Sequence, residues 1–214
     1  MTPEAFVAAQ TLVASPPLVP EIALHLASEV TPLWQATEAT LARDNLPPPY
    51  WAFAWPGGQA LARYVLDNRD IVERRRVLDF AAGSGLAAIA AAKAGAFRVT
   101  ASEIDPFALA AIASNARLNG VRVDIASHDL TAEAPDGWRV VLAGDVCYER
   151  PMAERVISWL RTAAKRGALV LIADPGRAYL PAQGLEELAR YVVPTSRDLE
   201  DRGERETRVL RVLP

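Results

Sequence analysis

Apolar and polar positions follow two regimes that change near residue 70. Before it the pattern is irregular. Pro3 to Leu12 reads as a short helix, Pro16-Pro17 interrupts it, and Ile22 to Leu26 has strand-like alternation. Pro47-Pro48-Pro49 holds the chain extended, because each proline disfavours the α conformation in its predecessor. The aromatic cluster Tyr50, Trp51, Phe53 and Trp55 follows directly, and Pro56-Gly57-Gly58 opens a helix whose apolar face is Ala60, Leu61, Tyr64 and Val65. Residues 1–70 are therefore expected to form an N-terminal extension packed on a core of residues 71–214.

From Arg76 onward the pattern is regular. Val77 to Phe80 is a short buried strand, followed by a Gly83-Ser84-Gly85 turn and an alanine-rich helix. Phe97 to Glu103 is a second strand; Asp105-Pro106 then supplies an N-cap and a first-turn proline for a helix ending near Asn119. Strands are expected over Val121–Ser127, Arg139–Ala143 and Ala168–Ala173, with a helix over Met152–Lys165 between the last two. A helix around Leu185 to Ala189 and strands near Tyr191–Val193 and Thr207–Val212 complete the chain. Strands alternating with helices predict an α/β fold with a doubly wound, mostly parallel seven-stranded sheet. The last two strands leave no room for a crossover helix, so the final strand should pair antiparallel.

Composition narrows the function classes. The chain has 214 residues, enough for one domain with a modest extension. Of its 40 alanines, fifteen fall in residues 81–116, where the longest apolar runs span seven residues, far short of a bilayer. A net charge of −3 gives no electrostatic footprint for nucleic acid or an anionic membrane. One cysteine, Cys147, excludes an internal disulfide, and with only His25 and His128 no closed Cys/His zinc site can be built, so no metal is expected. The N-terminus lacks the character of a signal or transit peptide, which makes a cytoplasmic protein the expectation. A monomer is the default.

In sheets of this kind ligands bind beyond the carboxyl ends of the strands, near the topological switch point. Three acids fall there: Asp79, Glu103 and Asp145. Glu103 lies 20 residues beyond Gly83, where a carboxylate can accept two ribose hydroxyls. Gly83-x-Gly85-x-x-Ala88 also fits a dinucleotide fingerprint, so a nicotinamide or flavin oxidoreductase stands as an alternative. Two features favour a methyl donor. Asp79 precedes the glycine turn, where it suits a cationic ligand and would repel a pyrophosphate, and strand four ends in the acidic-aromatic run Gly144 to Glu149. Asp79 and Asp145 are also open to a plainer role, capping the helices that follow them.

The segments Asp79 to Gly85, Glu103-Ile104-Asp105-Pro106 and Asp145-Val146-Cys147-Tyr148 resemble the motifs of seven-strand S-adenosylmethionine-dependent methyltransferases. The last is similar to the D-x-x-[YF] signature of the protein-lysine branch. Pro49 to Leu61, Gly144-Asp145 and Ala173 to Arg177 resemble, within that branch, the bacterial form of the lysine methyltransferases acting on the β subunit of electron transfer flavoprotein. The resemblance covers roughly residues 18 to 212. One position departs from it: the first glycine after the acid is Ala81, which asks for a slightly wider turn.

The resemblance implies S-adenosylmethionine as donor, with Asp79, Ala82, Gly83 and Gly85 at its methionine end. Glu103, with Ile104 beside it, would take the ribose, Asp129 and Leu130 would border the adenine, Gly144 would pass beneath the donor and Trp55 would cover it. A packed core tryptophan is the competing reading of Trp55. Asp145 would orient the substrate amine, and Tyr148 would supply a ring wall and a hydroxyl at the rim. Tyr50, Trp51 and Phe53 would complete an aromatic channel around the lysine stem, since aromatic faces attract ammonium groups. Asp174 and Arg177 follow strand five, where docking of the protein substrate and a structural role are both open. A ribosomal protein or a small amine are the alternative substrates.

Overall fold

The computed structural model describes residues 1–28, 31, 33, 48–195, 200 and 202–214; Pro47 of the proline run lies outside the described residues. Helix α1 (Pro3–Gln10) and a hairpin of β1 (Leu12–Ala14) and β2 (Leu24–Leu26) form the N-terminal part. A 3₁₀ turn at Tyr50–Ala52 leads into α2 (Pro56–Asp67). The regular region runs β3 (Arg76–Phe80), α3 (Leu86–Lys93), β4 (Arg98–Ser102), α4 (Pro106–Leu118) and β5 (Asp124–Ala126). It continues through β6 (Val140–Gly144), α5 (Arg150–Lys165), β7 (Leu169–Asp174), β8 (Leu185–Pro194) and β9 (Glu204–Val212).

Seven strands form one sheet in the order β5-β4-β3-β6-β7-β9-β8. All neighbouring pairs from β5 to β7 are parallel, whereas β9 runs antiparallel to both β7 and β8. This is the doubly wound sheet with an antiparallel final strand that the pattern predicts. The strand order reverses between β4-β3 and β6, placing the switch point at the carboxyl ends of β3 and β6.

Alternation along the strands builds two cores. Val77, Val140, Leu142, Leu171 and Ala173 face α2 and α3, and Leu78, Val141, Val170 and Ile172 face α5. Helix α3 carries buried residues at every position from Leu86 to Ala91. Small side chains let this helix lie close to both the sheet and α2, and the local alanine excess is shared between α3 and α4, with five alanines in each. The N-terminal hairpin is tied to α4 by amide side chains: Asn115 Oδ1 accepts the His25 N–H at 2.8 Å, and Asn119 Oδ1 accepts that of Ala23 at 3.1 Å. Asp105 caps α4 as expected, accepting the Phe107 N–H at 2.8 Å.

One expected element is wrong. Leu185 to Ala189 is not a helix but the first half of β8. The β8–β9 register shifts between Glu187 and Ala189. Such a bulge inserts a residue and breaks the two-residue alternation, so Leu185, Leu188 and Ala189 fall at spacings that imitate a helix.

Candidate active site

A cavity of about 540 Å³ opens at the switch point. The ends of β3, β4 and β6 contribute Phe80, Ser102, Glu103 and Gly144; the stretch after β5 adds His128, Asp129 and Leu130. Tyr50, Trp51 and Trp55 come from the aromatic segment, and Asp145, Tyr148, Met152 and Arg177 also line it. A smaller cavity of about 60 Å³ shares Trp55, Ala81, Gly83, Gly144 and Asp145 with the first and adds Phe53, Asp79 and Ala82.

The glycine turn is shaped by backbone conformation. Gly83 and Gly85 lie at φ 53° and 78°, and Ala81 at 52°. Ala81 occupies the left-handed conformation, in which its Cβ is crowded. Glu103 braces this turn from the end of β4, accepting the Gly83 N–H at Oε2 (3.0 Å) and the Ile104 N–H at Oε1 (2.8 Å). Gly85 lines neither cavity, and a Cβ there would meet Ile112 of α4 at 3.3 Å.

Asp79 is 2% exposed, and its Oδ2 accepts the Ala88 N–H of α3 at 2.8 Å. It thus does cap the helix that follows. Burial pushes its carboxyl up to about 8, the Ala88 hydrogen bond opposes the rise, and Glu103 adds to it. Asp145 caps a different helix from the one that follows it: Oδ2 accepts the Gly58 N–H in the first turn of α2 at 3.1 Å. Its other oxygen accepts Arg177 Nη2 at 3.1 Å. Its side chain is 12% exposed. Burial pushes Asp145 up to about 6, with Arg177 holding it down and Asp174 acting the other way.

The aromatic segment arches over this region. Trp55 Nε1 donates to the Tyr50 carbonyl at 2.7 Å, and the Tyr50 ring packs 5.5 Å from that of Tyr148. The Arg177 guanidinium lies 5.8 Å from the Trp55 ring centroid. Trp51 is buried in a cluster with Val7 and the α4 alanines while also lining the large cavity. Asp174 lines neither cavity; its Oδ1 accepts the Gly176 and Arg177 N–H groups at 2.7 and 2.6 Å, shaping the loop that carries Arg177. Cys147 is buried and its thiol is pushed up to about 12 by desolvation, then by Asp174 and Asp145, so it is no nucleophile at neutral pH.

Sequence reasoning missed two features. The first is the crossing of α2 over the end of β6. A Cβ on Gly57 would come within 2.4 Å of the Ala173 carbonyl, and one on Gly144 within 2.9 Å of the Gly58 nitrogen. Gly57 and Gly144 let α2 approach closely enough for the Gly58 N–H to reach Asp145. The second is the α5 face formed by Met152, Arg155 and Val156, which lines the cavity and could have been found from its helical spacing.

A family described as ribosomal protein L11 methyltransferase (PrmA) matches residues 59–145. The electron transfer flavoprotein β subunit lysine methyltransferase of Xenopus laevis is 38% identical over 207 residues, covering 94% of this chain and 83% of the relative. The Danio rerio protein of the same description is 38% identical over 198 residues, covering 90% of this chain and 76% of its own. The chain belongs to the electron transfer flavoprotein β-subunit lysine methyltransferase family.

Members of this family are S-adenosylmethionine-dependent protein-lysine methyltransferases, and so is this chain. The oxidoreductase alternative for the glycine turn falls with that assignment. The fold is shared with magnesium protoporphyrin IX methyltransferase from Synechocystis, solved with S-adenosylmethionine bound, at TM-score 0.54 and 16% identity over 73% of this chain and 78% of that one. Ribosomal protein L11 methylase from Lactobacillus delbrueckii aligns at TM-score 0.50 and 20% identity, over 72% and 77% of the two chains. Among the described residues no helix is long and apolar enough to cross a membrane.

Proposed function

We propose that this methyltransferase modifies lysine side chains of the electron transfer flavoprotein β subunit. The observation that carries the reading is the extent of the 38% identity: 94% of the chain, far beyond the donor-binding motifs that methyltransferases of many substrates have in common. The substrate-facing part is the aromatic segment of residues 1–70, which lines the cavity at Tyr50, Trp51 and Trp55 and closes over the core of residues 71–214.

The residues fit S-adenosylmethionine. The large cavity joins apolar Ile104 and Leu130 to the Glu103 carboxylate, as an adenosine requires. Glu103 already accepts three backbone N–H groups, Gly83 at Oε2 and Ile104 and Asp105 at Oε1 (3.4 Å for the last), which leaves a lone pair of Oε2 for a ribose hydroxyl. The smaller cavity places Asp79, Ala82 and Gly83 together, and a buried carboxyl with no cation beside it among the described residues suits the ammonium of an amino acid. Asp129 borders the adenine, Gly144 lies beneath the donor and Trp55 covers it.

When bound, the donor supplies a methyl on a sulfonium, activated for in-line displacement by an amine and leaving S-adenosylhomocysteine. The protein's share is alignment, which is worth up to roughly 7–11 kcal/mol. Asp145 Oδ1 accepts a hydrogen bond from the lysine amine and fixes its lone pair. Tyr148 and Tyr50 wall the aliphatic stem and exclude water. The amine must arrive neutral, and desolvation among these rings lowers its pKa from about 10.4. The proton lost on the way returns to solvent through the exposed Tyr148 rim.

Incubation with purified electron transfer flavoprotein β subunit and donor should produce mass increments of one methyl each, located on lysines by peptide mass spectrometry. The match to the L11 methyltransferase family over residues 59–145 favours one competing substrate. Methylation of ribosomal protein L11 in preference to the flavoprotein would overturn the reading.

A further inference from the structure

The Arg177 guanidinium is shared between two carboxylates, and the sharing is unequal. Glu200, between β8 and β9, accepts Nη2 at Oε1 (2.5 Å) and Nη1 at Oε2 (3.3 Å). Asp145 accepts Nη2 alone, at 3.1 Å. Glu200 is 2% exposed at its side chain and holds a second cation, Arg205, whose Nε donates to Oε2 at 3.0 Å. Arg177 is thus anchored on Glu200 by two bonds and leans on Asp145 with one. Charge-assisted bonds to a buried carboxylate are the stronger class, so the anchor decides how far the guanidinium reaches.

The position Arg177 takes at Asp145 Oδ1 is a hydrogen-bond donor's position, which a neutral amine can also fill. We propose, resting on the assignment of the substrate amine to Asp145, that Glu200 is a positioning residue. It restrains Arg177 so that the incoming lysine can replace the guanidinium at Asp145 Oδ1. Arg177 in this arrangement holds the lysine's place in the free enzyme, and on arrival of substrate it retains Glu200 and the Trp55 face. Without the Glu200 charge, Arg177 would pair fully with Asp145 and compete with the substrate. Among the described residues, the charged groups acting on this unit are Asp174, which faces both Asp145 and Arg177; Arg208, which faces Asp174; and Arg205, which faces Glu200. The Cys147 thiol borders Asp145 and Asp174 and is neutral.

Two measurements test this, one of them independent of the substrate's identity. In the substrate-free protein, carboxyl carbon NMR of Asp145 should show Glu200→Gln lowering its titration midpoint by about one unit and Arg177→Met raising it. An unmoved midpoint in Glu200→Gln overturns the proposal. In steady-state methylation of electron transfer flavoprotein β, Glu200→Gln should raise KM for the protein about tenfold with S-adenosylhomocysteine affinity intact. The double variant Glu200→Gln/Arg177→Met should bring KM back towards the wild-type value, because the competitor is gone. A double variant worse than the single one, or a single variant that loses donor binding, assigns Glu200 a structural role and overturns the proposal. If Glu200→Gln does not fold, Arg205→Gln frees Glu200 to hold Arg177 harder; the Asp145 midpoint should rise, and a fall overturns the proposal. Failure of the wild-type enzyme to methylate the flavoprotein refutes the substrate reading alone, and the NMR arm still decides the role of Glu200.

Discussion

Asp79 and Asp145 sit at the ends of adjacent parallel strands, the first buried and the second partly so, and both carboxyls accept a helix N–H. What separates them is the cation. Asp145 has Arg177 at 3.1 Å and titrates at about 6; Asp79 has a backbone N–H and the repulsion of Glu103, and titrates at about 8. Near neutral pH the free enzyme therefore keeps Asp145 ionised and Asp79 protonated. The acceptor side of the site is already charged for its ligand. The donor side becomes charged only when a cation arrives, so part of the donor's binding energy is spent on ionising Asp79.

Breaking the acceptor side should have the largest effect. Asp145→Ala is expected to lower kcat/KM at least a hundredfold while calorimetry finds S-adenosylhomocysteine still bound. Loss of donor binding would mean that the two sides are not separable. In the wild type, kcat/KM should lose a further factor of about ten per pH unit below about 6, beyond the loss set by protonation of the substrate amine, as the Asp145 carboxylate of the free enzyme takes up its proton.

Breaking the donor side should trade affinity for stability. The Asp79 carboxyl is raised above its unfolded value of about 4, so its contribution to folding is fully present below pH 4 and is lost as pH climbs through about 8. Asp79→Asn mimics the protonated form and keeps the acceptor for Ala88, and should stabilise the fold at pH 8 by up to about 5 kcal/mol, read by denaturant melts. It should also weaken S-adenosylhomocysteine about tenfold. Because binding expels the Asp79 proton, wild-type affinity should increase with pH up to about 8 and then level off. In the variant that slope should vanish; a retained slope would place the titrating group elsewhere.

The two sides also differ in how far the chain's order of residues discloses them. Asp79, the glycine turn and Glu103 lie within 25 consecutive residues on elements with clean periodicity, so local pattern and spacing suffice to place them together. The acceptor side is assembled from four distant stretches. Gly58 reaches Asp145 across 87 residues, and Arg177 bridges to Glu200. Asp145 and Tyr148 carry a short signature, but Glu200 sits in a polar stretch with no periodicity to mark it as buried. Whether Gly57, Gly58 and Gly144 meet depends on how closely a helix crosses a strand end, and that is a property of packing. The bulge in β8 hides a strand for a related reason, since its irregularity belongs to the pairing with β9.

The smallest expected effect lies on the donor side, at Ala81. Its φ of 52° places an alanine where a Cβ crowds the following carbonyl, at a cost of roughly 1–2 kcal/mol. Glycine would relieve that strain but would add freedom to the unfolded chain, which opposes about half of the gain. Ala81→Gly should therefore stabilise the fold by about 0.5–1 kcal/mol and shift the melting temperature by a few degrees at most. The Ala82 N–H bond to the Ser102 carbonyl at 3.1 Å, and the Gly83 bond to Glu103, already hold the turn in its donor-side shape. Donor affinity should then change less than twofold. A larger gain in affinity would mean that the methyl group at residue 81, which borders both cavities, stands in the donor's way rather than merely straining the turn.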